Sequence, residues 1–302
     1  MTDLDRSHPA AVNAWMNRLL LALLALIAPA LAAGPADGLQ PKFTAASKYV
    51  SARTVQVWLP PDYATSKRRY PVIYLHDGQN VYDDPSPWSG KSWAVHRALA
   101  KLIAEGKVHP AILVAVWNTD NRLGEYMPQA AVPPLGAKSD PASDDLFKKL
   151  PVERAKIAGD AYLKFLVDEL KPRIDRQYRT LRGPRDTMLM GSSMGGLISA
   201  YALVRYPRVF GAAACLSTSW PIGDGFAERW FEAHLPGPSA RLYFDYGTGT
   251  NDGTIAPFQT RIDAAAGNRG GRWVSRAFRG AEHSERAWAA RVDIPLTFLL
   301  GR

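Results

Sequence analysis

The sequence of 302 residues has a single cysteine, Cys215, so no intramolecular disulfide bond can form. This excludes a fold stapled by disulfides, and a hydrophobic core has to supply the stability. Cys215 lies in the apolar run AAACLSTS, which is typical of a buried and unreactive thiol rather than a nucleophile. A phosphate loop of the form GxxxxGK[ST] is also absent, which excludes that class of nucleotide site.

Basic residues are in excess but form no long run. Lysine and arginine number 37 against 28 acidic residues, which gives a net charge of +9. The densest basic run, KRR at 67–69, falls in a predicted turn, and the other basic residues are scattered along the chain. Because nucleic-acid-binding proteins concentrate their positive charge on one face, we expect no nucleic-acid partner.

The N-terminal region has the pattern of a secretory signal peptide. Arg18 supplies a short positive region, Leu19–Ile27 an apolar core, and Ala30-Leu31-Ala32 a cleavage signal. The apolar stretch is too short for an ordinary transmembrane helix, although an uncleaved anchor is the alternative. We predict that residues 1–32 comprise an upstream extension and a signal peptide, with Met1 or Met16 as the start. Cleavage near Ala32 would give a secreted or periplasmic protein without a stable membrane anchor.

Short apolar runs alternate with helix-like stretches over most of the remaining chain. The strand-like runs span 53–60, 71–78, 111–118, 187–193, 212–219 and 241–247, and the helical patterns 92–106, 158–174, 194–206, 226–235 and 256–267. This alternation predicts an α/β protein whose mainly parallel sheet is covered by helices on both faces. We predict one domain over 33–302. The proline- and charge-rich stretch 128–152 is predicted to be an insertion that acts as a lid.

The pentapeptide GSSMG at 191–195 lies between a predicted strand and a predicted helix. It fits the pattern G-x-S-x-G, in which a sharp turn forces the central serine into a strained conformation and lifts its hydroxyl above the strand end. Glycine is required on both sides because larger side chains would collide there. Ser193 is therefore predicted to be a nucleophile. The neighbouring Ser192 and a packing role for the glycines are the alternatives.

A nucleophilic serine needs a basic histidine that is oriented by a carboxylate. In strand–turn–helix serine enzymes the acid and then the histidine follow the serine in the chain. His283 follows the alternating run RWVSRAF at 272–278 and is the predicted base, whereas His234 lies on a helical pattern and is predicted to be a surface or packing residue. Asp252 lies in a turn-rich loop and is the predicted acid; Asp245 lies within a strand pattern, where a structural role is expected.

The oxyanion formed by attack on a carbonyl needs two N–H donors. One is predicted to be the backbone of Met194, directly after the serine. The other is predicted to be the backbone of Gln79, in the glycine turn after the strand-like run VIYL. A metal site built from His76 and Asp77 with Asp83 and Asp84 is the alternative for this loop, but no second histidine has the spacing that a metal site needs.

Four stretches together resemble the esterase family of α/β hydrolases: YLHDGQN, GEYMP, GSSMGG and GAEHSERAW. That family includes esterase D type, feruloyl, acetylxylan and siderophore esterases and mycolyltransferase-like proteins. The resemblance runs from about Lys48 to the C-terminus. It implies an α/β-hydrolase fold with Ser193, Asp252 and His283 as the triad and Gln79 and Met194 as the oxyanion donors. DYGTGTND is similar to the family segment that carries the acid, but Gly249 and Thr250 stand where an acidic residue is common.

Aromatic residues and the GEYMP stretch are candidates for the substrate-binding site. Trp88, Trp93 and Trp117 are predicted to wall an apolar site, with core packing as the alternative. By the resemblance, Glu125 and Tyr126 shape the pocket or support it structurally. No residue is predicted to bind a metal ion.

These features predict a serine enzyme that hydrolyses carboxylic esters through an acyl-enzyme intermediate, without a cofactor. The expected partner is a small-molecule, carbohydrate or siderophore ester. Acyl transfer to a sugar or lipid alcohol would use the same residues. A peptidase and a non-catalytic binding protein on the same scaffold are further alternatives.

Overall fold

The computed structural model describes residues 38–82, 90–132 and 148–302, which belong to one compact unit, Asp37–Arg302. The described residues form one sheet of eight strands. They are β1 Phe43–Ala45, β2 Arg53–Trp58, β3 Val72–Leu75, β4 Ile112–Val116, β5 Thr187–Ser192, β6 Ala212–Leu216, β7 Arg241–Gly247 and β8 Trp273–Phe278. The predicted signal segment 1–32, Trp88 and positions 133–147 of the predicted lid lie outside the described residues.

The strand order in the sheet is β1-β2-β4-β3-β5-β6-β7-β8. β1 and β2 pair antiparallel, as do β2 and β4, and every pair from β4 to β8 is parallel. The carboxyl ends of the parallel strands therefore meet at one edge of the sheet, which we call the carboxyl edge. Loops that follow different strands are brought together there, and this is where open α/β sheets bind ligands.

Helices connect the strands. They are α1 Val95–Ala104, α2 Arg122–Glu125, α3 Gly159–Lys164, α4 Lys171–Gln177, α5 Met194–Arg205, α6 Phe226–Ala233, α7 Ala256–Ala266, α8 Glu285–Ala289 and α9 Asp293–Leu300. A π-helical stretch, Phe165–Leu170, joins α3 to α4, so the predicted helix at 158–174 is longer than expected and not regular. No helix among the described residues is long and apolar enough to cross a membrane.

The hydrophobic core lies on both faces of the sheet. Tyr74 belongs to the same core cluster as Leu197 of α5. Leu75, the next residue of β3, belongs to the other cluster with Leu99 of α1 and Leu296 of α9. Successive side chains of a strand point to opposite faces, so a strand covered on both sides has to be apolar throughout. The predicted α/β architecture with both faces covered is confirmed.

The lone cysteine is part of this core. Cys215 lies in β6 with no exposed surface, and burial raises the pKa of its thiol. A neutral and inaccessible thiol is a poor nucleophile. The structure therefore agrees with the expectation that Cys215 packs rather than reacts.

A buried ion pair ties β2 to α2. Arg53 donates two hydrogen bonds to the Glu125 carboxylate, at 2.7 Å and 2.9 Å, and Thr119 donates a third at 3.0 Å. The exposed fractions of the two charged side chains are 0% and 3%. Each charge compensates the desolvation of the other, so the pair is far more sensitive to the loss of one partner than an exposed pair would be.

We expect Glu125→Gln to lower the free energy of unfolding by about 3–5 kcal/mol, because it leaves the Arg53 charge buried without a counter-charge. Urea unfolding at neutral pH measures this change. The matched control is Glu282→Gln, which breaks the exposed pair with Arg286 and should cost about 0–1 kcal/mol. Equal losses in the two variants would contradict the burial argument.

Candidate active site

Ser193 occupies the turn between β5 and α5. Its φ of 55° and ψ of −122° lie outside the regions that non-glycine residues normally adopt. A Cβ atom on Gly191 would lie 2.6 Å from the backbone of Gly195, and one on Gly195 would lie 3.2 Å from the His76 side chain. A side chain at position 191 would therefore collide with the backbone of the tight turn, and one at position 195 would press against His76.

The Ser193 hydroxyl lies 2.9 Å from the hydroxyl of Ser219, and either oxygen can be the donor. Ser193 and His283 both line a cavity of about 210 Å³ at the carboxyl edge. No hydrogen bond joins these two side chains in the described residues. Catalytic hydrogen bonds are often long in a free enzyme and tighten when substrate binds.

The His283 ring is held by Asp252, which lies 31 positions earlier in the chain. The His283 Nδ1 atom is 2.7 Å from the Asp252 Oδ1 atom. The Asp252 side chain is fully buried, whereas the His283 side chain is 29% exposed. Asp252 follows β7 and His283 follows β8, two neighbouring strands, so their loops meet at the carboxyl edge. The structure thus brings the predicted acid and base into contact, beside the predicted nucleophile.

Three donors converge on the Asp252 carboxylate. Besides His283, it accepts a hydrogen bond from the Ser217 hydroxyl at 2.7 Å and from the Gly247 N–H at 2.5 Å. Burial alone would raise the pKa of Asp252, but the bonds from His283, Ser217 and Gly247 outweigh burial and hold it below its ordinary value. Asp252 is therefore a carboxylate at neutral pH, as the orienting acid of a histidine base has to be.

Ser217 links Asp252 to the C-terminal part of the chain. Its hydroxyl oxygen accepts hydrogen bonds from Trp288 Nε1 at 2.9 Å and from Arg291 at 3.2 Å. Its φ is 44°, a strained value for serine. The Trp288 ring also contacts the His283 ring edge to face, with 5.0 Å between centroids. Sequence reasoning missed this group, because nothing local in the sequence connects residues more than seventy positions apart.

Asp245 has the structural role expected from its place in a strand. It is buried, and it pairs with Arg291 at 2.9 Å and accepts from the Tyr243 hydroxyl at 3.0 Å. Burial raises the pKa of Asp245, and the Arg291 charge opposes this rise. The Asp245 carboxylate thereby fixes the position of Arg291, which also donates to Ser217.

The predicted oxyanion donors follow two neighbouring strands, β3 and β5. Met194 is the first residue of α5, and Gln79 lies in the short 3₁₀ helix Gly78–Asn80 after β3. The first N–H groups of a helix have no partner within that helix, so these positions suit donation to a ligand. Both residues therefore stand at the carboxyl edge, Met194 directly after Ser193 and Gln79 after the neighbouring strand.

The loop before Gln79 is fixed by a polar cluster around Asp77. Arg122 donates to both Asp77 oxygens, at 2.7 Å and 2.8 Å, and Asn118 donates at 2.6 Å. The Gln79 side chain accepts a hydrogen bond from the Asn118 N–H at 3.3 Å. This cluster holds the backbone of the predicted donor in place, and it was not anticipated from the sequence.

His76 is a buried, neutral residue in the wall of the cavity. Its Nδ1 atom lies 2.8 Å from the Tyr162 hydroxyl, and burial lowers its pKa to about 4 despite the nearby Asp77 charge. No group of three or more metal-binding side chains occurs within 38–82, 90–132 and 148–302. Asp83 and Asp84, the other members of the alternative metal site, lie outside those ranges.

The cavity wall is polar and aromatic. It is lined by His76, Asp77, Asn80, Trp93, Asn118, Arg122, Ser192, Ser193, His283, Glu285 and Trp288. Trp93 lies in the wall, but the wall is not the apolar one predicted, and Trp117 does not line it. Glu125 and Tyr126 do not line the cavity, so of the two roles left open for them the structure favours structural support. Glu125 is buried in the ion pair with Arg53, and the fully buried Tyr126 hydroxyl accepts from the Asp77 N–H at 3.1 Å, so both support the site from below.

The lowered pKa of Asp252 predicts a pH-dependent contribution to stability. A carboxyl group with a depressed pKa stabilises the fold above its ordinary pKa of about 3.9 and loses this effect as the pH falls through the lower, folded value. We expect Asp252→Asn to be less stable than wild type at pH 7, and the difference to shrink as the pH falls from about 5 to 2. Urea titrations across this range measure it. The control Asp120→Asn, at an exposed position, should change stability little at any pH. A difference in the free energy of unfolding between wild type and Asp252→Asn that stays constant with pH would contradict the argument.

Residues 47–292 match the family described as "Putative esterase". A protein of Bacillus subtilis (strain 168), YbbA, which has no characterised function, is 26% identical over 196 residues, 65% of this chain and 68% of its own. An endo-1,4-beta-xylanase/feruloyl esterase of Xylanibacter ruminicola is 28% identical over 169 residues, 55% of this chain and 19% of that longer protein.

The fold is also similar to that of a solved structure. The enterobactin esterase FES of Shigella flexneri, crystallised in the presence of enterobactin, superimposes with a TM-score of 0.65 at 19% sequence identity. The match covers 86% of this chain and 58% of that one. With the family match over most of its length, the chain belongs to the Esterase family of α/β hydrolases and is a carboxylic ester hydrolase.

Proposed function

We propose that the protein hydrolyses its ester through a Ser193–His283–Asp252 triad and an acyl-enzyme intermediate. The observation that carries the proposal is the 2.7 Å contact between His283 Nδ1 and Asp252, beside a strained serine in the same cavity. With Nδ1 bound to the carboxylate, the Nε2 atom of His283 is left to take the serine proton. Asp252 fixes the tautomer and stabilises the imidazolium that forms.

The reaction proceeds in two halves. His283 takes the proton of Ser193 while the serine oxygen attacks the ester carbonyl, and the backbone N–H groups of Met194 and Gln79 bind the negative oxygen that results. His283 then protonates the leaving alcohol as the carbon–oxygen bond to it breaks. A water molecule, deprotonated by His283, attacks the acyl-serine and releases the acid, and the proton returns to Ser193. No step needs a metal or an organic cofactor.

The cavity favours a small and polar ester. About 210 Å³ accommodates a small acyl or alcohol group, and charged or amide side chains of Arg122, Asn118 and Glu285 line it beside Trp93 and Trp288. A related protein is a feruloyl esterase and a structurally similar one is an enterobactin esterase. We infer a small-molecule, carbohydrate or siderophore ester as the substrate. Acyl transfer to an alcohol would use the same residues and differs only in what attacks the acyl-serine.

The proposal predicts that p-nitrophenyl acetate is hydrolysed and that Ser193→Ala lowers kcat/KM at least about a thousandfold. Assays that follow the release of p-nitrophenol by both proteins measure the loss of kcat/KM. Ser192→Ala is the matched control, since this neighbouring serine also lines the cavity; its loss should be far smaller. Equal activity in wild type and Ser193→Ala would refute the triad. Addition of an acceptor alcohol separates hydrolysis from transfer, because transfer yields a new ester.

We also propose that the protein is exported. The support is the pattern of residues 16–32, a positive residue, an apolar core and a small-residue cleavage signal. Expression of the full chain in a bacterial host should give a mature protein that begins at or near Ala33, as N-terminal sequencing would show. Replacing the apolar Leu23 and Leu24 by arginine should abolish cleavage. An uncleaved N-terminus on an exported, membrane-bound product would instead indicate an anchor.

A further inference from the structure

A second concavity lies at the opposite edge of the sheet from Ser193. It has a volume of about 870 Å³ and is lined by the segments that enter the parallel strands. Pro71, Asp186, Gly211 and Arg272 directly precede β3, β5, β6 and β8, and Arg241 is the first residue of β7. We call this concavity the amino-edge groove. It lies about one strand length from the proposed active site, or roughly 20 Å for a strand of six residues.

The amino-edge groove is strongly basic. Five arginines line it, against one acidic side chain, that of Asp186, among its lining residues. They are Arg68, Arg69, Arg185, Arg241 and Arg272. A concave surface with one sign of charge concentrates its potential and raises the local concentration of oppositely charged ligands. The scattered arginines of the sequence are therefore gathered by the fold into one place.

Most of these arginines form no ion pair with an acidic side chain in the described part of the protein. Arg68 is the exception, since it pairs with Asp62. Arg69 donates to the main-chain oxygen of Thr180 at 3.4 Å. The exposed Arg185 and Arg272 make no hydrogen bond or ion pair with any residue that the structure describes. Two guanidinium groups are thus left with all their donors available to a ligand.

Arg241 shows that the positive charges are crowded. Its guanidinium donates to the main-chain oxygens of Phe298 and Leu299 near the end of α9, at 3.2–3.3 Å, and not to a carboxylate. Burial, and after it the charge of Arg185, lower the pKa of Arg241, against the attraction of Asp186. An anion bound in the groove would relieve this repulsion.

We propose that the amino-edge groove is a binding site for an extended, soluble polyanion that carries phosphate or carboxylate groups. The planar guanidinium binds either group through two parallel hydrogen bonds. A concave groove accommodates a chain, whereas the flat surface of an anionic membrane would meet the groove only at its rim. Four prolines line the groove and restrict its backbone, which lowers the entropy lost on binding: Pro71, Pro110, Pro184 and Pro207.

Binding is measured by isothermal titration calorimetry with the full mature chain. The probes are inorganic tripolyphosphate and trigalacturonate, which separate a phosphate ligand from a carboxylate ligand. We expect at least one probe to bind with one site per chain in about 20 mM NaCl. At about 200 mM NaCl the affinity should fall severalfold, because salt screens exposed charges.

The test variant is the double substitution Arg185→Gln and Arg272→Gln, which should weaken binding at least about tenfold. The matched control is Arg176→Gln with Arg276→Gln, which removes the same charge from two exposed arginines outside the groove. The affinity of this control variant for the probe should stay within about twofold of wild type. Thermal melting verifies that all variants are folded. Failure of both probes to bind at the lower salt concentration, or equal weakening in the two double variants, would overturn the proposal. Neither result depends on ester hydrolysis, so the two proposals fail separately.

Discussion

The arrangement at the carboxyl edge depends on one buried carboxylate, that of Asp252. A carboxylate without exposed surface is stable only if donors replace the water that it has lost, and three do so here: His283, Ser217 and the Gly247 N–H. Two of these donors serve to fix the third. Because Ser217 and Gly247 saturate one oxygen, the other faces His283 in one orientation. The imidazole is thereby positioned by a rigid partner rather than by its own exposed loop.

That carboxylate is supported from several parts of the chain. Trp288 and Arg291, which follow His283 in the chain, hold the hydroxyl of Ser217, the residue directly after β6. Asp245 on β7 in turn holds Arg291. Charged and polar groups are costly in a core unless all of them are satisfied together. The network therefore couples the position of His283 to the docking of the C-terminal helices, so that a change at that end of the chain would displace His283.

The local parts of the site could be predicted from the sequence, and the long-range parts could not. Ser193 was predictable because its turn requires glycine at fixed positions, and Asp252 and His283 because each follows a strand. Ser217, Arg122 and Arg291 gave no such signal, since their roles come from contacts made only in the folded chain. For Glu125 the sequence left two roles open, and only its ion pair with Arg53 of β2, a contact made in the folded chain, favours the structural one. The amino-edge groove was likewise invisible, because its arginines are far apart in sequence.

The single buried thiol of Cys215 can report unfolding of the protein. Cys215 lies near the middle of the sheet, in a strand flanked by β5 and β7 and covered on both faces. A thiol reagent can reach it only when the sheet opens, so the rate of labelling reports how often the native core is disrupted. No second cysteine complicates the signal, and no disulfide can lock a misfolded chain. An enzyme built in this way owes its stability to non-covalent interactions, whatever the redox state of its surroundings.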